Sequence, residues 1–403
     1  MNNKLYLNNS ASFKSFKKGY TKKTIKNLNN IFSEIKSDIL NKDKTLNILN
    51  ENFKFNFNFK DLIKFKRYKT LAIIGMGGSI LGAEAIYNCF ESRIKKNVYF
   101  FNNLNEKNLI DFKRKENIKS VLFIIISKSG NTIETLSNTF SLSIIKKNSK
   151  NVIIITEKKD NYLCNLAKKF NLYFIEHKKN IGGRFSVLSE VGIVPAYIMG
   201  INISNLRIKI LDFLKGFEKN YLKDSAYTLS KLLVSKNYNN IVFLNYSPNL
   251  EKFLFWCQQL IGESLGKSYK GFFPVISSMP KDHHSLLQLY LDGPKDKIFY
   301  IFSDEENLKT KIKLKSSIKK NLLHQKSISS VKKAQKNSLI KVMKKNKAIF
   351  REFRIKKIDE EVLGQLFSYF ILETIIIGKL IKINPFNQPA VEQIKIFTNQ
   401  FLK

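Results

Sequence analysis

The sequence predicts an α/β protein made of two successive doubly wound halves, each a mostly parallel sheet, with helical extensions at both ends. Three observations carry this reading. Short continuous apolar runs recur, such as LAIIG (71–75) and VLFIII (121–126), as expected of strands buried on both faces. Helix-length segments separate these runs, the rhythm of βαβ units. The alternation then restarts after residue 200.

In chain order, TIKNLNNIFSEIKSDIL (24–40) places Ile25, Leu28, Ile31, Phe32, Ile35 and Ile39 at helical spacing. LAIIG is a strand, LGAEAIYNCF a helix, VYFF (98–101) a strand and VLFIII another. A helix through NTIETLSNTFSLSIIKK follows, then strand VIIIT (152–156), helix NYLCNLAKKF and short strand LYFI (172–175). In the second half IVFLN (241–245) reads as a strand, LEKFLFWCQQLIGESLGK as a long helix and IFYIF (298–302) as a strand. A Lys-rich helical stretch is expected over 305–349, an edge strand at FREFRI (350–355), and helix from there to the C-terminus. The chain thus divides into a helical extension (1–60), α/β domains at 61–210 and 211–370, and a C-terminal helical segment (371–403).

Composition narrows the function classes. Of 403 residues 43 % are hydrophobic, a globular proportion, while 70 Lys plus Arg against 32 Asp plus Glu give a formal net charge of +38. The lysines run the whole length among Asn and Ile, so the charge reads first as a solvated surface and second as a footprint for anions. No nucleic-acid partner is expected, since no zinc finger, RNA-recognition signature or concentrated basic helix is present. Cys89, Cys164 and Cys257 are far apart and odd in number, which suits reduced thiols in a cytoplasm and offers no metal spacing. The N-terminus has basic residues but no apolar core of a secretory signal. The best candidate for a membrane span, SYFILETIIIGKLI, is broken by Glu373 and Lys379, so no membrane is expected and a cytoplasmic location is.

Ligands of open parallel sheets sit beyond the carboxyl ends of the strands, and two corners there stand out. In SKSGNT, after VLFIII, hydroxyls of Ser127, Ser129 and Thr132 can bond phosphate oxygens, Lys128 adds charge, and Gly130 permits close backbone approach at a helix start. An ordinary N-cap cluster fits the same stretch. The corner GMGGS brings Gly75, Gly77, Gly78 and Ser79 together, but Ile80 stands where a dinucleotide fingerprint wants its last glycine, which argues against a nicotinamide cofactor. Further along, GGRFS surrounds Arg184 with glycines, and QQLIGESLGK carries Gln259 and Glu263 four apart on one helix face. KDHHSLLQ holds His283 and His284, and NQPAVEQIK puts Gln388 and Lys395 two turns apart on roughly one helix face. Taken singly, each reads better as a surface charge or a satisfied core residue.

Together and in order, GMGGS, SKSGNTIET, GGRFSVLS, ESLGK, HHSLLQ and QPAVEQIK closely resemble the successive motifs of the phosphoglucose isomerase family, from about residue 70 to 400. The resemblance implies two sugar-isomerase domains and interconversion of glucose 6-phosphate and fructose 6-phosphate through an enediol-type intermediate. It implies Glu263 as the base that moves the proton, a task that shielding among apolar neighbours would suit, and Arg184 as the stabiliser of enediolate charge. His284 and Lys395 match the ring-opening groups; Gly78, Ser79, Gln259 and Gln388 match sugar contacts; and Ser127, Lys128, Ser129 and Thr132 match the phosphate loop. His284 is preferred over His283 because it stands four before Gln288. The resemblance further implies a homodimer, with His284 reaching the site across the interface, and no metal or organic cofactor. Many members have Thr-Phe-Thr-Thr where this chain has Ser129-Gly130-Asn131-Thr132, leaving the amide of Asn131 as a substitute donor. A dual glucose and mannose 6-phosphate isomerase, or a non-catalytic sugar-phosphate regulator, would share much of this pattern.

Overall fold

The architecture was described from a computed structural model, which covers residues 4–16, 21–305, 310–314 and 321–402. Its strands form two sheets. One contains β2 (Thr70–Gly75), β3 (Asn97–Phe101), β4 (Val121–Ile126), β5 (Val152–Thr156) and β6 (Tyr173–Glu176), in the order β3-β2-β4-β5-β6 and all parallel. The other contains β1 (Leu5–Asn9), β7 (Asn240–Asn245), β8 (Phe273–Ser278), β9 (Lys297–Asp304) and β10 (Phe350–Ile355), in the order β1-β10-β9-β7-β8. Only β1 runs antiparallel to its neighbour among the described strands. The predicted class, two parallel α/β units, is the observed one.

Every residue of β2, β4 and β5 is buried, which explains their unbroken apolar sequence: with helices on both faces there is no solvated side to alternate toward. Between the sheets lies the main core. At its centre is the helix Glu360–Leu380, long and apolar enough to cross a membrane but with 94 % of its most apolar stretch buried inside the protein. Glu373 does not interrupt this helix for the sake of solvent. It pairs with Arg351 of β10 at 3.0 Å and accepts hydrogen bonds from Ser225 and Tyr369, so a fully buried charge pair is satisfied on all sides.

Several expectations need correction. FREFRI is not an edge: β1, within the expected helical extension, pairs with it from Leu5↔Ile355 to Asn9↔Arg351. LYLNN is too short and polar to announce itself. β8 has no counterpart among the expected strands; its Pro274 is tolerated because β8 is the outermost strand of its sheet. The helix after SKSGNT ends at Ser141, with Ser143 already at positive φ. In the Lys-rich stretch only Ile328–Lys345 is helical, and residues 306–309 and 315–320 lie outside the described residues. The expected helix near residues 24–40 is observed as Lys22–Leu40, capped by the Thr21 hydroxyl and burying the expected face except for Ile25.

Candidate active site

The strand order places β2 beside β4 at the point where connections depart to either side, so GMGGS and SKSGNT flank one crevice. In SKSGNT the hydroxyls are drawn together. Ser127 Oγ lies 2.8 Å from Thr132 Oγ1, and Ser129 Oγ lies 3.3 Å from Thr132 Oγ1 and 3.4 Å from Ser127 Oγ. Thr132 occupies the N-cap position of the following helix, Ile133–Ser141, yet its side chain caps nothing. The simple N-cap explanation therefore does not account for the cluster. Gly130 adopts φ +73°, and a Cβ there would fall 1.8 Å from Asn161 Oδ1, so glycine is required. Asn161 in turn caps the helix Tyr162–Lys169, and Asn131 Oδ1 accepts from the Tyr162 N–H at 2.8 Å. Asn131 thus braces the loop through its carbonyl oxygen.

Lys128 does not join the hydroxyl cluster. Its Nζ donates to Lys179 O at 2.8 Å and lies 3.7 Å from Glu157, and burial lowers its pKa from the ordinary lysine value.

GMGGS leads from this loop to the second group. A Cβ on Gly78 would stand 2.2 Å from the carbonyl carbon of Gly183, so the two glycine corners touch backbone to backbone. Ser186 Oγ holds the junction by donating to Gly183 O at 2.7 Å. This contact seats Arg184, whose side chain is only 1 % exposed. Its Nε donates to Ser264 Oγ at 2.8 Å, its Nη1 to Glu263 Oε2 at 3.0 Å and also to Gln388 Oε1, and its Nη2 to the carbonyls of Pro385 and Asn387. Burial lowers the Arg184 pKa, opposed by the charge of Glu263.

Gln259 and Glu263 lie on one face near the end of the helix Glu251–Leu265, as their spacing predicts, and Gln259 Nε2 donates to Glu263 Oε1 at 2.8 Å. Both oxygens of the carboxylate are therefore oriented, while 29 % of the side chain stays exposed. The expected apolar shielding of Glu263 is not what surrounds it: a guanidinium and a carboxamide do, because the buried arginine needs a counter-charge.

Gln388 joins this group, but not from the helix that carries Lys395. It sits in the connection before Glu392–Phe401, a segment pinned by Phe386 against Phe185 with ring centroids 5.5 Å apart. The pattern missed three contributors: Ser264, the carbonyls of the INPFNQ turn, and Lys267. Lys267 Nζ donates to Ser264 O at 3.1 Å and Asn384 O at 2.6 Å, and burial together with the nearby Arg184 charge lowers its pKa to about 8. The Lys closing ESLGK was the available signal.

His284 and Lys395 are not part of this cluster. His284 is exposed in the short turn Lys281–His284 after β8, which Asp282 anchors by accepting from Ser277 Oγ and Ser278 N–H at 2.8 Å each. The neighbouring His283 is committed elsewhere, its Nε2 lying 2.7 Å from the Tyr246 hydroxyl. Lys395 is exposed on the C-terminal helix.

Comparison with known proteins identifies the family. The family model for phosphoglucose isomerase matches residues 58–403. Glucose-6-phosphate isomerase of Methanocaldococcus jannaschii is 34 % identical over 353 residues, covering 83 % of this chain and 86 % of its own. The Campylobacter jejuni enzyme of that name is 29 % identical over 378 residues, covering 89 % and 90 %. Among solved structures, a hypothetical protein of Thermus thermophilus superposes with a TM-score of 0.85 at 22 % identity, covering 98 % of this chain and all of that one. A glucose-6-phosphate isomerase of Chlamydia trachomatis superposes with a TM-score of 0.68 at 21 % identity, covering 85 % and 71 %, a likeness of fold. With a family match over residues 58–403 and a relative 34 % identical over most of both chains, this chain belongs to the phosphoglucose isomerase family.

Proposed function

We propose that this protein interconverts glucose 6-phosphate and fructose 6-phosphate, as a step of glycolysis and gluconeogenesis in the cytoplasm. The observation that carries the reading is the Glu263 carboxylate, oriented through both oxygens by Arg184 and Gln259 yet still partly open to the crevice. A carboxylate so held can take the proton from C2 of the open-chain aldose and return it to C1, on one face of the substrate. Arg184, fixed before any substrate arrives, supplies positive charge for the enediolate oxygens at little reorganisation. Ser127, Ser129 and Thr132 take the phosphate, with Lys128 contributing charge from the side. Gly78, Ser79, Gln259 and Gln388 face the sugar.

Ring opening falls to His284 and Lys395. The exposure of His284 supports its delivery to the site of a second copy, making the protein a homodimer. The C-terminal helix also favours an assembly, since Ile394, Phe397 and Phe401 are 69 %, 54 % and 90 % exposed in the single chain.

The test is fructose 6-phosphate turnover in chelator, with glucose and mannose 6-phosphates assayed as products, for wild type and for Glu263→Gln and His284→Ala alone and mixed. Each variant alone should be nearly inactive. Unfolding and refolding them together should restore up to about a quarter of wild-type activity, because half of randomly paired dimers carry one intact site. Binding without turnover by wild type would favour the regulator instead, and failure of the mixture to recover would place His284 in its own chain's site.

A further inference from the structure

We propose that the carboxyl end of the second sheet carries a separate binding site for a small anion bearing two phosphate groups. A cavity of about 760 Å³ opens there, between the helix Ile328–Lys345 and the ends of β9 and β10. It is lined by Ser303, Asp304 and Glu305 at the end of β9, by Glu352 and Arg354 of β10 and Asn8 of β1, and by Tyr246 just beyond β7. Among the described residues, no side chain of the Arg184 cluster or the SKSGNT loop lines it.

The chemistry changes abruptly at this end of the sheet. On the face under the helix, Phe299, Ile301 and Phe350 pack with Leu339 and Met343 as an apolar core. Two residues further along the strands the same face presents Ser303, Glu352 and Arg354 to the cavity. The walls carry seven basic side chains against three acidic ones, an excess of about four positive charges if all are ionised. Two phosphate groups bring about three to four negative charges, which matches the excess where a single phosphate would not.

One of these cations has no ion pair among the described residues, and a second has one unmet donor. Lys336 is 7 % exposed and donates to Ser303 Oγ at 3.1 Å, yet makes no ion pair within 4.0 Å among the described residues. Arg354 Nε has no hydrogen-bond partner, although the side chain as a whole is 43 % exposed and forms an ion pair with Glu305 at 3.6 Å. Leaving such groups unsatisfied costs free energy that a bound anion would offset. Burial lowers the Lys336 pKa, the direction expected of an ammonium short of counter-charge. Tyr246 also lines the cavity, and its hydroxyl meets His283, so the site abuts the turn that carries His284.

Calorimetric titration of the whole protein with inorganic pyrophosphate at physiological salt tests this. Beyond any binding at the SKSGNT loop, one pyrophosphate per chain should bind, at least tenfold more tightly than inorganic phosphate. Binding should persist in Ser127→Ala/Thr132→Val and weaken tenfold or more in Lys333→Gln/Arg354→Gln, with Lys344→Gln as a milder exposed variant. Lys22→Gln/Lys23→Gln, which removes equal charge from a distant helix, should leave it unchanged. Non-saturable binding, equal loss in that control, loss with the hydroxyl variants, or equal affinity for phosphate would each overturn the proposal.

Discussion

Arg184 and Arg351 are two buried arginines in two regions of one molecule, and their surroundings differ in one respect. Each pairs with a carboxylate at 3.0 Å and is wrapped in further hydrogen bonds. Arg351, at the centre of the core, faces Glu373, whose side chain is 3 % exposed and whose oxygens are taken by Ser225 and Tyr369. Arg184 faces Glu263, whose side chain is 29 % exposed at a crevice. Burial of a charge therefore does not distinguish the pair proposed for catalysis from one that only holds the core. What distinguishes them is whether the partner still has access to something outside.

The comparison can be broken by removing each carboxylate. Glu263→Gln should lower kcat about 10²–10⁴-fold and cost less stability than the core variant Glu373→Gln, because the carboxylate's position at the crevice lets water partly solvate Arg184. Glu373→Gln should do the reverse, leaving Arg351 as an uncompensated buried cation and costing about 3–5 kcal/mol in denaturant unfolding, with the folded fraction retaining its KM. If both variants lost stability alike, the distinction by access would fail.

A third buried ionisable group sharpens the contrast, because it has no charged partner within bonding distance. His177 bonds Lys178 O through Nδ1 at 3.0 Å, its Nε2 has no partner, and burial lowers its pKa from 6.5 to about 4. Its folded pKa lies below the unfolded value, so between these limits the unfolded chain binds the extra proton. This contribution to stability is complete above about pH 6.5 and falls as pH drops toward 4, by about 3 kcal/mol in all. Melting curves across this window should show the loss, and His177→Gln should flatten it.

The smallest effect is expected at the SKSGNT loop, proposed to hold the phosphate through hydroxyls. Thr132→Val removes one hydroxyl of three and should raise KM for the sugar phosphate roughly tenfold, about 1.4 kcal/mol, while sparing kcat. A fall in kcat with unchanged KM would instead tie the loop to the chemical step.

Legibility in the sequence followed the range of the forces involved. The strands β2, β4 and β5 were readable because burial on both faces leaves an unbroken apolar signature. Gln259 and Glu263 could be paired because helical spacing alone brings i and i+4 together. β1 could not be found, since its five residues form a strand only by lying against β10, some 340 positions away. Gln388 was assigned to the wrong element for a related reason: its place is set by Arg184 and by Phe386 against Phe185, not by local periodicity.

The sequence by itself determined the class of fold, the order of the motifs and the residue types available for sugar-phosphate chemistry. These follow from local pattern, and local pattern is set by hydrophobic periodicity and backbone preference. Only the tertiary structure decided that Arg184 gathers Glu263, Ser264, Gln388 and two backbone carbonyls, that Lys128 turns toward Glu157, and that His284 is left facing outward. The reason is that a buried guanidinium must satisfy all its donors, and the partners it recruits can come from anywhere the packed chain brings within reach.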